Sequence, residues 1–306
     1  MSMNPKFFLR QSFLGIILVG TVILSGCHGH SKKYNTVSSG TVNISVDESY
    51  QPLIDSEIKV FEAQNPQAHI IPHYEPESDC FRDLLNDSSH LIIVTRDLDQ
   101  KEVQYFKDIR MPMTSKILAW DAVTLIVNPE NPDTNMTMQQ VREIMEGSPL
   151  EKPYQIVFDD ANSSTYRYVL DSINHGKPLP PTAMAAKGSE NVVNYVAKNI
   201  NAIGVIGVSW VSDPADSLGL SFLQKTRVVA IRGDGDVDYF KPYQAYIALK
   251  SYPLTRAFYF ILREAYSGLG TGFANFLGGN VGQLIIGKYR LFPARLDIVF
   301  RKATIQ

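Results

Sequence analysis

The chain is poor in cysteine, in basic excess and in the local signatures that enzymes carry. Cys27 and Cys80 are its only cysteines in 306 residues, so no disulfide framework stands behind the fold. A formal net charge of -2 gives no broad basic field and argues against nucleic acid as a partner. No long membrane span is present either, since the main apolar stretch, Phe13 to Leu24, is too short to cross a bilayer comfortably. The histidines, His28, His30, His69, His73, His90 and His175, have no helical metal-ligand spacing, and H-E-x-x-H is absent. His69 and His73 share a strand face, which fits solvation or core packing better than a metal. Neither a G-x-S-x-G elbow nor a P-loop occurs, and "GLGTGF" at 268–273 lacks dinucleotide spacing. Carboxylates are plentiful, yet no local pattern pairs them for acid–base work. The expectation is a non-enzyme without cofactor or metal.

What is present begins with an export signal. Lys6 and Arg10 precede the short apolar run, which leads into Leu24-Ser25-Gly26-Cys27. That quartet resembles a bacterial lipobox, in which the cysteine is acylated and becomes the first residue; a plain secretory signal containing a cysteine is the alternative. Acyl chains on Cys27 would anchor the protein, each buried methylene contributing about 0.8 kcal/mol. Residues 1–26 are then the lipoprotein signal peptide. Residues 27–40, polar and carrying Gly and Ser, read as a tether. An exported protein of the cell envelope, on the periplasmic side and held to the membrane only by lipid, is expected.

Beyond the tether, strand and helix patterns alternate. "TVNISV" at 41–46 alternates like a half-buried strand, and Leu53, Ile54, Ile58, Val60 and Phe61 follow at helical spacing. "AHIIPHY", "HLIIV", "AVTLIVN", "YQIVF", "AIGVIGV", "RVVAI" and "YQAYIAL" read as strands. An acid at Asp97 or Asp99, then Thr137 and Ser189, stand where helix caps belong. With 306 residues, two α/β units with substantial parallel pairing are predicted.

One stretch, "QIVFDDANSSTYRYVLDSI" (155–173), places Asn162, Ser163, Ser164 and Thr165 between a strand and a helix. A helix start exposes unpaired N–H groups that can cradle an anion. The three hydroxyls would add donors and Arg167, one turn in, a charge. Capping alone is the competing reading.

The chain resembles the PstS-like phosphate-binding proteins of bacterial ABC importers, type II periplasmic solute-binding proteins, over nearly all of residues 41–295. "AVTLIVNPENPDTNMTMQQVREIMEG", "NINAIGVIGVSW" and "YPLTRAFYFIL" carry the resemblance. It implies a two-lobed fold with two crossing strands as hinge and ligand in the cleft. Residues 41–122 and 241–306 would form lobe 1, and 123–240 lobe 2. Mapped onto the family's loops, Ser163, Ser164, Thr165 and Arg167 occupy its S-G-S-G-T-R segment. Thr95 and Arg96 fall in its S-[SD]-R-P-L segment, and Ser49 is the one like-for-like donor of its G-S-T-T loop. Thr95 stands where some members place an aspartate that accepts the proton of hydrogen phosphate. The family's glycine-rich loop is replaced by Tyr74-Glu75-Pro76-Glu77-Ser78-Asp79-Cys80.

The resemblance implies a monomer that captures phosphate or a related oxyanion by cleft closure and delivers it to an ABC permease. Two other functions stay open. Asp47, Glu48, Glu75, Glu77 and Asp79 could line the cleft and suit a cationic or zwitterionic solute, or the lipoprotein could sense or interact without import. A secreted hydrolase is disfavoured, because no nucleophile and base can be named.

Overall fold

A computed structural model describes residues 35–148, 153–211 and 224–295. The leader, Cys27 and the first part of the tether lie outside the described residues. Strand β1 (Ser39–Asp47) starts at Ser39 rather than Thr41 and buries Val42, Ile44 and Val46. A 3-10 turn leads into α1 (Gln51–Gln64), which has a proline in its first turn and buries Leu53, Ile54, Ile58 and Phe61. β2 (Gln67–Glu75) tolerates Pro72 because it is a sheet edge. α2 (Glu77–Leu85) and the wholly buried β3 (Leu91–Val94) follow. α3 (Gln100–Asp108) opens on a capping box, in which Asp99 accepts from the Glu102 amide and Glu102 from that of Asp99.

β4 (Thr114–Val127) is a 14-residue strand. After β5 (Asn135–Thr137), α4 (Met138–Met145) opens on a second capping box, Thr137 with Gln140. β6 (Gln155–Phe158) leads into α5 (Ser164–Tyr168), which widens to a π-helical turn over Val169–Ile173. β7 (Met184–Ala185), α6 (Ser189–Lys198), β8 (Ala202–Gly207), β9 (Arg227–Val228) and β10 (Ala230–Arg232) come next. The chain closes with α7 (Gln244–Ala248), β11 (Thr255–Leu262), α8 (Leu269–Leu277), α9 (Asn280–Lys288) and β12 (Phe292–Pro293).

Three expectations from the sequence need correction, the first being "RVVAI", which divides at Val229 into β9, paired with β4, and β10, paired with β5. "YQAYIAL" forms the helix α7 instead of a strand: Ile247 is buried, Tyr243 and Leu249 are exposed, and Tyr246 packs on Phe240. Its period-2 alternation has no sheet neighbour to cover it. Ser189 is the first residue of α6 and not its cap; Gly188, at a φ of 105°, takes the cap position.

The sheet runs β2-β1-β3-β11-β4-β8-β6-β7, with β9 and β12 also paired to β4. Parallel pairs lie at both ends, β1 with β2 and β3, and β6 with β7 and β8. The antiparallel strands β11 and β4 join them. β4 changes partner along its length: Thr114–Ala122 lies against β11, Val123–Val127 against β8. The return passage runs beside it, since the Val123 amide donates to the Leu254 carbonyl and the Tyr252 hydroxyl to the Val123 carbonyl, both at 2.9 Å. Two α/β halves joined by adjacent passages make a two-lobed architecture, with the ends of β1, β3 and β6 turned to the gap between them.

Candidate functional site

Open α/β sheets bind ligands outside the carboxyl ends of their parallel strands. Here β1 ends at Asp47, β3 is followed by Thr95 and β6 by Asp159, and the turns after them meet across the gap. Ser49, Ser163, Ser164 and Thr165 are all buried there. The Ser49 and Ser164 hydroxyls lie 3.4 Å apart, and the Ser163 and Thr165 hydroxyls 2.9 Å apart. Ser163 both caps α5, accepting from the Tyr166 amide at 3.2 Å, and donates to the Asp160 carbonyl at 2.8 Å. Thr165 donates to Asp159 Oδ1 at 2.5 Å.

The two predicted arginines behave differently. Arg167 crosses the gap, donating from Nε to Glu77 Oε2 and from Nη2 to Thr95 Oγ1, each at 2.7 Å. Thr95 in turn donates to Glu77 Oε1 through its amide at 2.6 Å and its hydroxyl at 2.7 Å. Burial would raise the Glu77 pKa, but Arg167 and Thr95 outweigh it and hold the carboxyl below its usual range. Arg96 turns away: it forms a bidentate pair with Glu102 at 2.8 Å and lies over the Phe81 ring at 3.4 Å. The expected site thus keeps Ser49, Thr95, Ser163, Ser164, Thr165 and Arg167 together, while Arg96 braces α3.

Further residues emerge that sequence reasoning did not assign to the site. Arg256, in the "YPLTR" segment, is buried between the halves, donating to Ser164 Oγ at 2.8 Å and to Asp121 Oδ2 at 2.7 Å. Asp121 also accepts from the Tyr50 hydroxyl at 2.7 Å, while Arg256 Nη2 has no hydrogen-bond partner among the described residues. The position was visible in the motif, but its inward direction was not. Across the gap, Glu48 accepts from the Ser189 amide and hydroxyl, both at 2.8 Å. The Ser209 hydroxyl donates to the Ser49 carbonyl.

Below these contacts lies a cavity of about 360 Å³ lined by Asp47, Glu48, Tyr74, Glu75, Pro76, Asp159, Asp160, Ser163, Lys187 and Gly188. Asp79, considered as a lining acid, instead pairs with Arg82 within α2 at 2.5 Å, and Glu77 is taken up by Arg167. Asp47 is fully buried; its Oδ1 accepts from the Ser49 amide at 2.9 Å, and its Oδ2 has no hydrogen-bond partner among the described residues. Asp159 is 2% exposed, and its Oδ2 is likewise unpartnered. Burial, reinforced by the Glu77 charge and partly offset by Arg256 and Ser164, pushes Asp47 up to about 7. Burial and the Asp159 charge push Glu48 to about 7 as well, and burial raises Asp159. Such shifts concentrate where charge is held for use.

The family model described as a PBP superfamily domain matches residues 34–280. The phosphate-binding protein PstS of Pseudomonas aeruginosa is 22% identical over 246 residues, which cover 70% of this chain and 71% of that protein. Among solved structures, a candidate phosphate ABC transporter substrate-binding protein with bound phosphate from Clostridium perfringens matches at a TM-score of 0.71. Its identity is 23%, covering 84% of this chain and 100% of the other. An ABC-type phosphate transport receptor from Vibrio cholerae matches at a TM-score of 0.62 and 20% identity, covering 83% and 100%. These structures share the fold.

Proposed function

The chain belongs to the PBP superfamily, and from that premise we propose that it is the solute-binding protein of an ABC importer. It captures a small solute between its halves and hands it to a permease, breaking no bond. Lobe 1, residues 41–122 and 241–306, and lobe 2, residues 123–240, close on the solute about β4 and the passage beside it. Export through the 1–26 signal and lipid on Cys27 keep the protein at the membrane on the periplasmic side, as a monomer.

Phosphate or a related oxyanion is the cargo that the relatives' names indicate. The observation that supports it here is the meeting of Ser49, Ser164 and Arg256 between the halves, with Arg256 Nη2 still free to donate. A charge-assisted hydrogen bond contributes about 1.5–3 kcal/mol, so a few such donors suffice for capture. Isothermal titration of the detergent-purified chain with phosphate, sulfate and arsenate tests the reading. Heat and a raised melting temperature with phosphate are expected, since a ligand of the folded state stabilises by mass action. Silence at millimolar phosphate overturns the oxyanion cargo.

A further inference from the structure

The lining of the cavity has the wrong sign for an anion alone. Five carboxylates, Asp47, Glu48, Glu75, Asp159 and Asp160, face it with a single lysine, Lys187, which is exposed at the rim. The donors at the strand ends, which an anion would need, are already engaged by the protein's own acids. Asp47 takes the Ser49 amide, Asp159 the Thr165 hydroxyl, Glu48 the Ser189 amide and hydroxyl, and Glu77 the Thr95 amide and hydroxyl with Arg167. What remains without a partner on the lining is acceptor capacity. Asp47 Oδ2 and Asp159 Oδ2 are buried, and neither has a donor among the described residues. Buried acceptors left unpaired are costly, and the charge of Arg256 only partly offsets the burial of these two.

Resting on the capture reading above, we propose that the cargo carries an ammonium group, seated against Asp47 and Asp159. An ammonium brings a positive charge and several donors and no acceptor, which suits a cavity whose lining carries both orphan oxygens. A divalent metal is a poorer match, because no group of three or more His, Cys, Asp or Glu side chains among the described residues is placed to hold one. The cavity, about 360 Å³, falls within the range of small-molecule sites. A simple amine and an amine joined to a phosphoryl group share this chemistry. In the second the acids would hold the cationic end, and Lys187, the one cation on the lining, would face the anionic end.

Four probes separate these cases in titrations of the detergent-purified chain: inorganic phosphate, ethyl phosphate, ethanolamine and 2-aminoethyl phosphate. The expected result is that 2-aminoethyl phosphate binds at least about tenfold more tightly than ethyl phosphate, one charge-assisted contact being enough for that ratio. Binding of ethanolamine as well assigns the recognition to the amine by itself. The variants Asp47→Asn and Asp159→Asn, checked for a normal melt, should each lose most of the advantage; the wild-type comparison stands without them. If ethyl phosphate and phosphate bind as tightly as the amine-bearing probe, the ammonium proposal is overturned and cleft capture survives. If none of the four binds, both fall.

Discussion

Arg167 is the side chain through which closure can be tested most directly. Replacing it by methionine keeps the stem and removes two 2.7 Å hydrogen bonds that cross the gap, to Glu77 and to Thr95. Charge-assisted bonds contribute about 1.5–3 kcal/mol each. The Arg167 side chain is 33% exposed, so solvent recovers part of that, while Glu77 at 3% recovers little. A net loss of about 2 kcal/mol from the closed form follows, or roughly thirtyfold in the open-to-closed ratio. Small-angle scattering of the ligand-free chain should show an increased radius of gyration. The pH response gives a second, independent reading. In the wild type the Glu77 pKa is depressed, so its contribution to closure is present above the ordinary carboxylate range and lost as pH falls through the depressed value. In Arg167→Met the pull of Arg167 is gone and only the Thr95 hydrogen bonds still oppose burial, so the loss of closure on acidification should shrink. An unchanged scattering profile at neutral pH, or an acid-side loss of closure as large as in the wild type, refutes the assignment of Arg167 to the closed state.

Arg96→Met should leave affinity for every probe unchanged within about twofold and cost only stability, because Arg96 is committed to Glu102 and Phe81; a titration with the tightest probe decides. Glu57 is fully buried with both carboxyl oxygens unpartnered among the described residues, and burial raises its pKa from 4.5 to about 9. That raised value favours the fold at pH below 4.5 and the benefit is lost as pH rises through 9. Glu57→Gln should therefore stabilise by about 3 kcal/mol at neutral pH and by almost nothing in acid, as read from urea melts at both. Gly204→Ala should destabilise by about 1–3 kcal/mol, since a Cβ there would sit 2.7 Å from Val192, 2.8 Å from Ile126 and 2.9 Å from Val196, where α6 lies on β8. A melting temperature equal to wild type would show that α6 yields.

The elements that were legible in the sequence are those fixed by local chemistry. Thr137 and Asp99 announce α4 and α3 because a cap and its partner lie three residues apart. β8 is readable because six consecutive buried residues leave no polar face to misplace. Ser189 was misassigned because its amide and hydroxyl go to Glu48, which is 141 residues distant. Arg96 and Arg167 look equivalent as isolated cations. Glu102 lies near Arg96 in the chain, whereas Glu77 reaches Arg167 only through the fold. Arg256 had its motif on view, but nothing in "YPLTR" says that Asp121, on the neighbouring strand, directs it inward.

Fold and cargo can diverge in such a chain because they depend on different atoms. The core is held by apolar faces that do not meet the solute. The turns after β1, β3 and β6 present amides and hydroxyls that need an acceptor, and either a guest anion or a resident carboxylate can supply it. Glycine or serine at such a turn leaves the donors for a guest. Asp47, Glu77 and Asp159 fill them from within. The exchange costs the fold something, because burial raises Asp47 and Asp159 above the ordinary carboxylate range, and it changes the charge presented to the solute. On the ammonium proposal, the sign of the cargo follows from whether the acceptor for each turn comes from the protein itself, and a family likeness resting on the strands is blind to that choice.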